Sequence, residues 1–485
     1  MSNSQIYDVI IVGGGVAGLN TALNLRKDLR VLLLSKRNLE LCNTSLAQGG
    51  IAGVTDLLHD SYDLHINDTM VAGGYKNNIN AVKILVRSAA DDIHTLMENG
   101  VEFDRNADGK IDMTLEGGHS RRRILHRRDY TGKEIEDKLI LAVRARPNVT
   151  ILENAAMWDI QKLAGGFSLD VLIGEEHCYF NAFCCVFATG GIGKVYRYST
   201  NSAIATGDGI AQASRLGAKI QHLNWIQFHP TAFAGGTGER FLISESVRGE
   251  GAYLLNCHYQ RFMHRYDNRL ELAPRDVVSR AIMMEERLTG SDRFYLDITH
   301  EDGDFVKKRF PMIYENVLSQ GYDMTKEPIP IYPCQHYLMG GIDVDTEART
   351  TIDGLYAVGE CSHTGVHGKN RLASNSLLEA VVFSHRAAND INRRLEVPPS
   401  PFEPYEFPVS SAEEKISPEV MEEIRDIMQY SYFVLPDPVR QREGYQRICA
   451  LRERLAAHEY KADLTMLETR SLAEVAWIVL KEDIV

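Results

Sequence analysis

The sequence predicts an α/β protein built on one large sheet, interrupted by an insertion and followed by a separate set of helices. Three observations predict it. The chain opens as strand, glycine turn, helix and strand; two later apolar runs end in further glycine turns; and a proline-rich stretch precedes three helix candidates.

The opening unit reads YDVIIV, GGGVAG, LNTALNLRKD and VLLLS, a βαβ pattern in which Gly13, Gly15 and Gly18 fit GxGxxG. A backbone without Cβ atoms can approach a pyrophosphate, which then sits at the positive end of the helix. The strand and helix flanking the glycines favour dinucleotide binding over a plain tight turn. A ribose-binding acid is expected about twenty positions further on. Here the second strand ends in Ser35 and Lys36, which disfavours NAD.

Residues 80–99 carry helical periodicity from an Asn N-cap candidate to a stop at Gly100. The run FCCVFATGGIG reads as a buried strand ending in a turn at Gly190, Gly191 and Gly193, and GLYAVGE as another ending at Gly359 and Glu360, ahead of the helix SNSLLEAVVFSHRAANDINRRL. Placing all three strands in one sheet makes 223–337 an insertion. Beyond VPPSPFEPYEFP, helices are expected near 417–433, 438–457 and 464–481. The resulting division is 1–222 and 338–400 for the nucleotide-binding domain, 223–337 for the inserted domain and 410–485 for a helical domain.

The chain of 485 residues is long enough for a large core. Its 53 basic and 66 acidic residues give a net charge of -13, which opposes non-specific attraction to polyanions. The basic stretch HSRRRILHRR, residues 119–128, is a local exception, but without interleaved aromatics it does not read as a nucleic-acid patch. Eight cysteines without a CxxC pair spell out neither an iron–sulfur nor a zinc site and fit a reducing compartment. The start MSNSQIYDVIIVGGG enters a strand with no basic segment ahead of it, and no run of about 18 apolar residues occurs. A soluble, cytoplasmic protein without membrane contact is expected.

DRNADGKID matches the opening of a calcium loop at Asp104, Asn106, Asp108 and Gly109. Its twelfth position is Leu115 rather than a bidentate Glu, so a polar hairpin turn through Asp108 and Gly109 is expected and no metal site is assigned.

Six charged or ionisable residues lie beside glycine or proline in irregular stretches: His229, Glu245, Arg248, Arg275, His336 and Arg371. Each alone fits a structural role. Together, two arginines and two histidines beside a bound dinucleotide suit a small dianion, because the guanidinium fork matches a carboxylate.

The ordered stretches VIIVGGGVAGL, SLAQGGIAGV, EGGHSRRRILH, ATGDG, QFHPTAF, LISESVRGEGAYL, ELAPRDVVSRAI, HYLMGGIDVD and GLYAVGE with VHGKNRLASNSLLEAVVF closely resemble the succinate dehydrogenase and fumarate reductase flavoprotein family, over about residues 6–480. Within it the resemblance is to the members that oxidise L-aspartate. It implies a Rossmann-like FAD-binding domain interrupted by an α+β capping domain and followed by a C-terminal helical bundle. It implies FAD contacts from Gly13, Gly14, Gly15, Val16, Ala17 and Gly18; from Ser35 and Lys36; and from Asn43, Thr44, Ser45, Gln48, Gly49 and Gly50. Further contacts are implied from Ala188, Thr189, Gly190 and Gly191, from Asp208, Glu360 and Arg371, and from Ser374, Asn375, Ser376 and Leu377. His229, His336 and Arg371 would hold substrate carboxylates, Arg275 would handle the proton at the reacting carbon, and Ser244 and Glu245 would belong to the cap loop that contacts substrate and supports Arg275.

Two positions separate the aspartate-oxidising members from their relatives. Asn43 stands where the dehydrogenases place a His bonded to FAD, so the flavin is expected to be held non-covalently. Glu116 stands where the dicarboxylate reductases have a neutral amide, and a carboxylate there can pair with the α-ammonium group of aspartate. The implied activity is oxidation of L-aspartate to iminoaspartate, with reoxidation by dioxygen, giving hydrogen peroxide, or by fumarate. That is the first step of NAD biosynthesis through quinolinate, and it implies a functional coupling to quinolinate synthase. The alternatives are a soluble fumarate reductase or dehydrogenase flavoprotein subunit, against which Asn43 and Glu116 both stand, and a non-catalytic flavoprotein. Lys369, where HGAN is usual, either adds charge near the flavin or faces solvent, and monomer and homodimer both stay open.

Overall fold

Alternating apolar side chains let the first strand feed two cores at once. In β1 (Ile6–Val12), Val9 and Ile11 face one apolar cluster while Ile10 and Val12 face another, as the period-2 geometry of a strand with both faces covered requires. The computed structural model describes residues 6–236, 240–397, 399–408, 410–482 and 484. The MSNSQ start and the ends of the expected domain ranges at residues 1 and 485 lie outside the described residues.

After β1 the chain enters α1 (Val16–Asn24), earlier than the LNTALN stretch suggested, then β2 (Val31–Leu34). The helix α2 (Ile79–Glu98) is capped by Asn78, whose side chain accepts from the backbone of Asn80 and Ala81, so the cap lies two residues before the Asn expected from periodicity. It is followed by α3 (Thr131–Arg144), β3 (Val149–Leu152), β4 (Ala155–Lys162), β5 (Phe167–Ile173) and β6 (Glu176–Phe187). The hairpin expected at Asp108 and Gly109 forms: Gly109 has φ 77°, and the Asn106 side chain accepts from Asp108 and Lys110 amides.

A second, four-stranded antiparallel sheet follows, made of β7 (Ile226–Phe233), β8 (Tyr253–Leu255) and β9 (Phe294–Asp297), with α4 (Arg275–Thr289) between the last two, and β10 (Ile329–Leu338). Its order is β7-β10-β9-β8, and it packs on its own cluster around Phe262, Val278, Phe294 and Phe310. The chain then returns through β11 (Leu355–Ala357) to the first sheet and continues in α5 (Asn375–Arg394). The seven-stranded sheet runs β3-β2-β1-β6-β5-β4 with β11 also on β6. The pairings β3-β2-β1-β6-β11 are parallel and β6-β5-β4 antiparallel. All three strands that end in glycine turns therefore share one sheet, β6 lying between the other two.

The final helices α6 (Glu419–Ser431), α7 (Pro438–Ala456) and α8 (Leu464–Glu482) fall within two residues of their sequence expectation and join the cluster that covers one face of that sheet. The architecture is a Rossmann-like α/β unit interrupted by an α+β cap and followed by a helical bundle. Among the described residues no helix is long and apolar enough to cross a membrane.

Close approach fixes the glycines of the first turn. Gly13 has φ 118°, and a Cβ there would lie 2.1 Å from the Ala188 carbonyl oxygen; at Gly18 it would lie 2.0 Å from the oxygen of Gly13. Gly13→Ala should lower stability by about 2 kcal/mol or more, read as a fall in the urea midpoint of unfolding.

Candidate active site

The three strand ends of the large sheet open into one cavity that reaches under the cap. At one end it is lined by Gly14, Gly15, Val16 and Ala17, by Ser35 and Lys36, and by Asp208; at the other by Glu116, His229, Ser244, Glu245, Arg275, His336 and Arg371. Gly15 caps α1 with no side-chain hydrogen bond, so the positive end of the helix is presented by bare backbone at the cavity wall. Thr44 Oγ1 accepts from the Val16 amide at 3.1 Å and ties the NTSLAQGG segment to that turn.

The acid missing after the glycine turn arrives from far along the chain. Lys36 Nζ donates to Asp208 Oδ2 at 2.8 Å and to Thr206 Oγ1 at 2.7 Å, and pairs with Glu468 of α8 at 2.8 Å. Burial opposes the lysine charge, yet the two carboxylates hold its pKa above the usual value. A lysine–carboxylate pair thus stands at the end of β2, where many dinucleotide-binding folds place a single acid. With the glycine cradle and the bare helix terminus, these groups fit the ribose and pyrophosphate parts of a dinucleotide.

The opposite end is cationic. Arg371 donates to Ser376 Oγ at 2.6 Å, to Gln227 Oε1 at 3.3 Å and to His336 Nε2 at 3.0 Å, and its guanidinium lies 4.3 Å from the centre of the Tyr337 ring. Since Nε2 of His336 accepts, its proton sits on Nδ1, which bonds Thr200 Oγ1 at 2.7 Å. His229 is fixed in the opposite tautomer: Nδ1 accepts from the Thr231 amide at 3.2 Å, leaving Nε2–H as a buried donor with no partner among the described residues. Burial and the neighbouring Arg275 hold both imidazoles well below their ordinary pKa, so they are neutral donors. Burial, with Arg275 nearby, also lowers Arg371 to about 10.

Arg275 begins α4, where the helix dipole disfavours a cation. Glu245 compensates: Arg275 Nε donates to its Oε2 at 2.6 Å, and Arg275 Nη1 donates to Gln227 Oε1 at 3.1 Å. On its other side Glu245 faces Arg248 at 3.5 Å. Burial alone would raise the Glu245 pKa, but Arg275 and Arg248 outweigh it and keep the carboxylate ionised. Glu116 differs: burial, reinforced by Glu245, raises its pKa, and its Oε2 accepts from Ser374 Oγ at 2.6 Å.

All seven residues assigned catalytic or substrate-binding roles line this one cavity. Of those assigned to the cofactor, Gly18, Ser45, Gly191 and Asn375 do not line it. Gly18 lies behind the turn against Gly13, a Cβ on Gly191 would meet Glu360, Ser45 Oγ bonds Cys42 Sγ, and the Asn375 amide is engaged by His65 and Thr69. Lys369 is exposed. Two participants, Gln227 and Thr200, were not among the residues expected from sequence, and Gln48, expected at the cofactor, also binds the cap. Gln227 joins Arg275 to Arg371, Thr200 sets the His336 tautomer, and Gln48 accepts from the Ser244 amide at 3.1 Å and donates to the Leu242 carbonyl at 2.6 Å. Neutral amides and hydroxyls carry no sequence signal beyond their neighbours.

Residues 8–377 match the family described as FAD binding domain, which makes the protein an FAD-dependent flavoprotein. It is 46% identical to the L-aspartate oxidase of Clostridium perfringens, over 81% of this chain and 88% of that protein. It is 40% identical to the L-aspartate oxidase of Yersinia pestis, over 99% and 94% respectively. Among solved structures, the E. coli quinol fumarate reductase flavoprotein superposes with a TM-score of 0.91 at 29% identity, covering 98% of this chain and 88% of that one. The chain belongs to the L-aspartate oxidases.

Removing Arg275 while Glu245 stays buried leaves a carboxylate short of its main partner. Arg275→Leu should cost about 3 kcal/mol of stability, and adding Glu245→Leu should return part of it, a coupling measured by a double-mutant cycle in thermal unfolding.

Proposed function

We propose that the protein oxidises L-aspartate to iminoaspartate with non-covalently held FAD. The observation that carries this is Glu116: a buried carboxylate in a site that otherwise holds two arginines, two neutral histidines and Glu245, which is already paired with Arg275. Such a site suits two carboxylates plus one ammonium group, which is the charge pattern of aspartate and not of succinate.

In this reading Arg371 and the His229 Nε2–H hold the substrate carboxylates, while His336, whose Nδ1–H goes to Thr200 and whose Nε2 accepts from Arg371, fixes that guanidinium and meets a carboxylate only by exchanging partners. Glu116 receives the α-ammonium group. Arg275, oriented by Glu245 and Gln227, is a donor-only guanidinium that positions and polarises the reacting end, and the proton released from the amino nitrogen as the C=N bond forms and hydride leaves Cα passes to the Glu116 carboxylate that receives the ammonium group. Bound FAD would supply the two-electron acceptor for that hydride, the pair going on to dioxygen, giving hydrogen peroxide, or to fumarate, giving succinate. Ser244 and Gln48 link the cap to the nucleotide-binding side, helping to exclude water. Gly14 to Ala17, Thr44, Lys36, Asp208, Glu360 and Ser376 would hold FAD. Asn43, whose side chain donates to Glu360 and accepts from Ser202, supports non-covalent attachment. Iminoaspartate leads to quinolinate and NAD, and its hydrolytic lability favours coupling to quinolinate synthase.

Anaerobic addition of L-aspartate should bleach the flavin absorbance and succinate should not; bleaching by succinate alone would overturn the assignment. Glu116→Gln should lower kcat/KM for aspartate about a hundredfold and reduction of fumarate much less. Because burial raises the Glu116 pKa, wild-type kcat/KM for aspartate should fall as pH drops through a value above the ordinary carboxylate range. That acid limb should be absent in Glu116→Gln.

A further inference from the structure

The basic stretch at 119–128 divides sharply in space. Arg121 and Arg122 are exposed, whereas Arg123 is fully buried with 0% exposure. Arg123 grips Asp60 with two bonds, 2.7 Å and 2.8 Å, and donates to Asp68, whose Oδ2 also accepts the Ser120 amide and hydroxyl at 2.8 Å each. Arg123 Nη1 further donates to His119 Nδ1 at 3.1 Å. An arginine has no acceptor, so the His119 proton is confined to Nε2, which donates to the Ala373 carbonyl at 2.9 Å. Neither His119 nor Arg123 lines the cavity.

What His119 grips is the residue before Ser374. Ser374 is left-handed, φ 61°, a conformation rare for a residue with a side chain. It is held from both sides: His119 fixes Ala373, and the Asn375 amide is fixed by His65 at 2.9 Å and by Thr69 at 3.0 Å. So over-determined, the Ser374 hydroxyl meets Glu116 Oε2 at 2.6 Å. The same turn closes from the other direction, the His119 amide donating to the Glu116 carbonyl at 3.1 Å.

We propose that His119 and Arg123 are positioning residues for amine selectivity, holding the Ser374 hydroxyl on Glu116 so that this carboxylate stays in one orientation for the substrate ammonium group. This rests on Glu116 being the ammonium contact. His119 suits the task because it is a neutral, single-tautomer link: burial and the adjacent Arg123 lower its pKa to about 4. The groups that face Glu116 are Glu245, Arg275 and Arg371, with Arg248 behind Glu245 and the Ser374 hydroxyl as its hydrogen-bond donor.

The test compares two reactions of the holoenzyme, L-aspartate oxidation and fumarate reduction by a reduced viologen, in His119→Leu, His119→Gln and Glu116→Gln, with FAD affinity measured by fluorescence titration. His119→Leu should lower kcat/KM for aspartate about ten- to a hundredfold and fumarate reduction far less, with FAD affinity unchanged. His119→Gln, whose amide can accept from Arg123 and donate to Ala373, should recover most of the loss. Equal losses in the two reactions, or none in either, overturn the proposal. Should Glu116→Gln itself show no selectivity, the reading of Glu116 fails; a selective Glu116→Gln with a non-selective His119→Leu defeats only the positioning role. If His119→Leu does not retain FAD, Ser374→Ala, assayed at saturating FAD because Ser374 itself lines the cavity, removes the last link without touching the clamp. It should show the same selective loss and an acid limb for aspartate moved to higher pH; lack of both would overturn the proposal.

Discussion

Two buried guanidinium groups, those of Arg275 and Arg371, line one cavity, a third, that of Arg248, is buried behind Glu245, and the need to compensate their charge out of water shapes everything near them. A buried charge is tolerable only when paired and hydrogen-bonded. Glu245 lies between Arg275 and Arg248, Gln227 bridges Arg275 and Arg371, and the Tyr337 ring covers the Arg371 face. The imidazoles beside them answer the same constraint by staying neutral. Further positive charge would be repelled, and a neutral ring still donates a hydrogen bond.

This field also explains how a carboxylate can be kept in a site for dianions. Burial, with Glu245 nearby, raises the Glu116 pKa, and the Ser374 hydroxyl, Arg275 and Arg371 oppose that rise. Among the described residues its carboxylate takes a hydrogen bond from a serine in a left-handed backbone conformation, and the surrounding network keeps that serine in place. The selectivity attributed to Glu116 thus depends on residues well outside the cavity.

The division between the sheet and the cap follows from packing. The apolar faces of β1, β2 and β6 are consumed by helices on both sides, whereas the cap strands close on a cluster of their own. The cavity lies where the two meet. Residues from both sides reach it: Thr44, Asp208 and Ser376 from the nucleotide-binding part, His229, Glu245 and Arg275 from the cap. The helical bundle contributes indirectly, Glu468 of α8 pairing with Lys36.

Elements whose signals are local can be read from the chain alone. The glycine turn after β1, the apolar strand ending at Phe187, the hairpin at Gly109 and the three terminal helices were all legible, because periodicity and backbone permissiveness belong to a few adjacent residues. The charged members of the site were legible by type and by family motif. Their partners come from packing between distant segments. Three arginines stand in a row at 121–123, and nothing local distinguishes the one that is buried between Asp60 and Asp68 from its exposed neighbours. Asn375 follows Ser374 directly, yet one faces the cavity and the other His65; Asp208 answers Lys36 from 172 residues away. Pairing of buried polar groups is settled by which distant segments are brought together, and that depends on the whole packed chain rather than on any stretch of it.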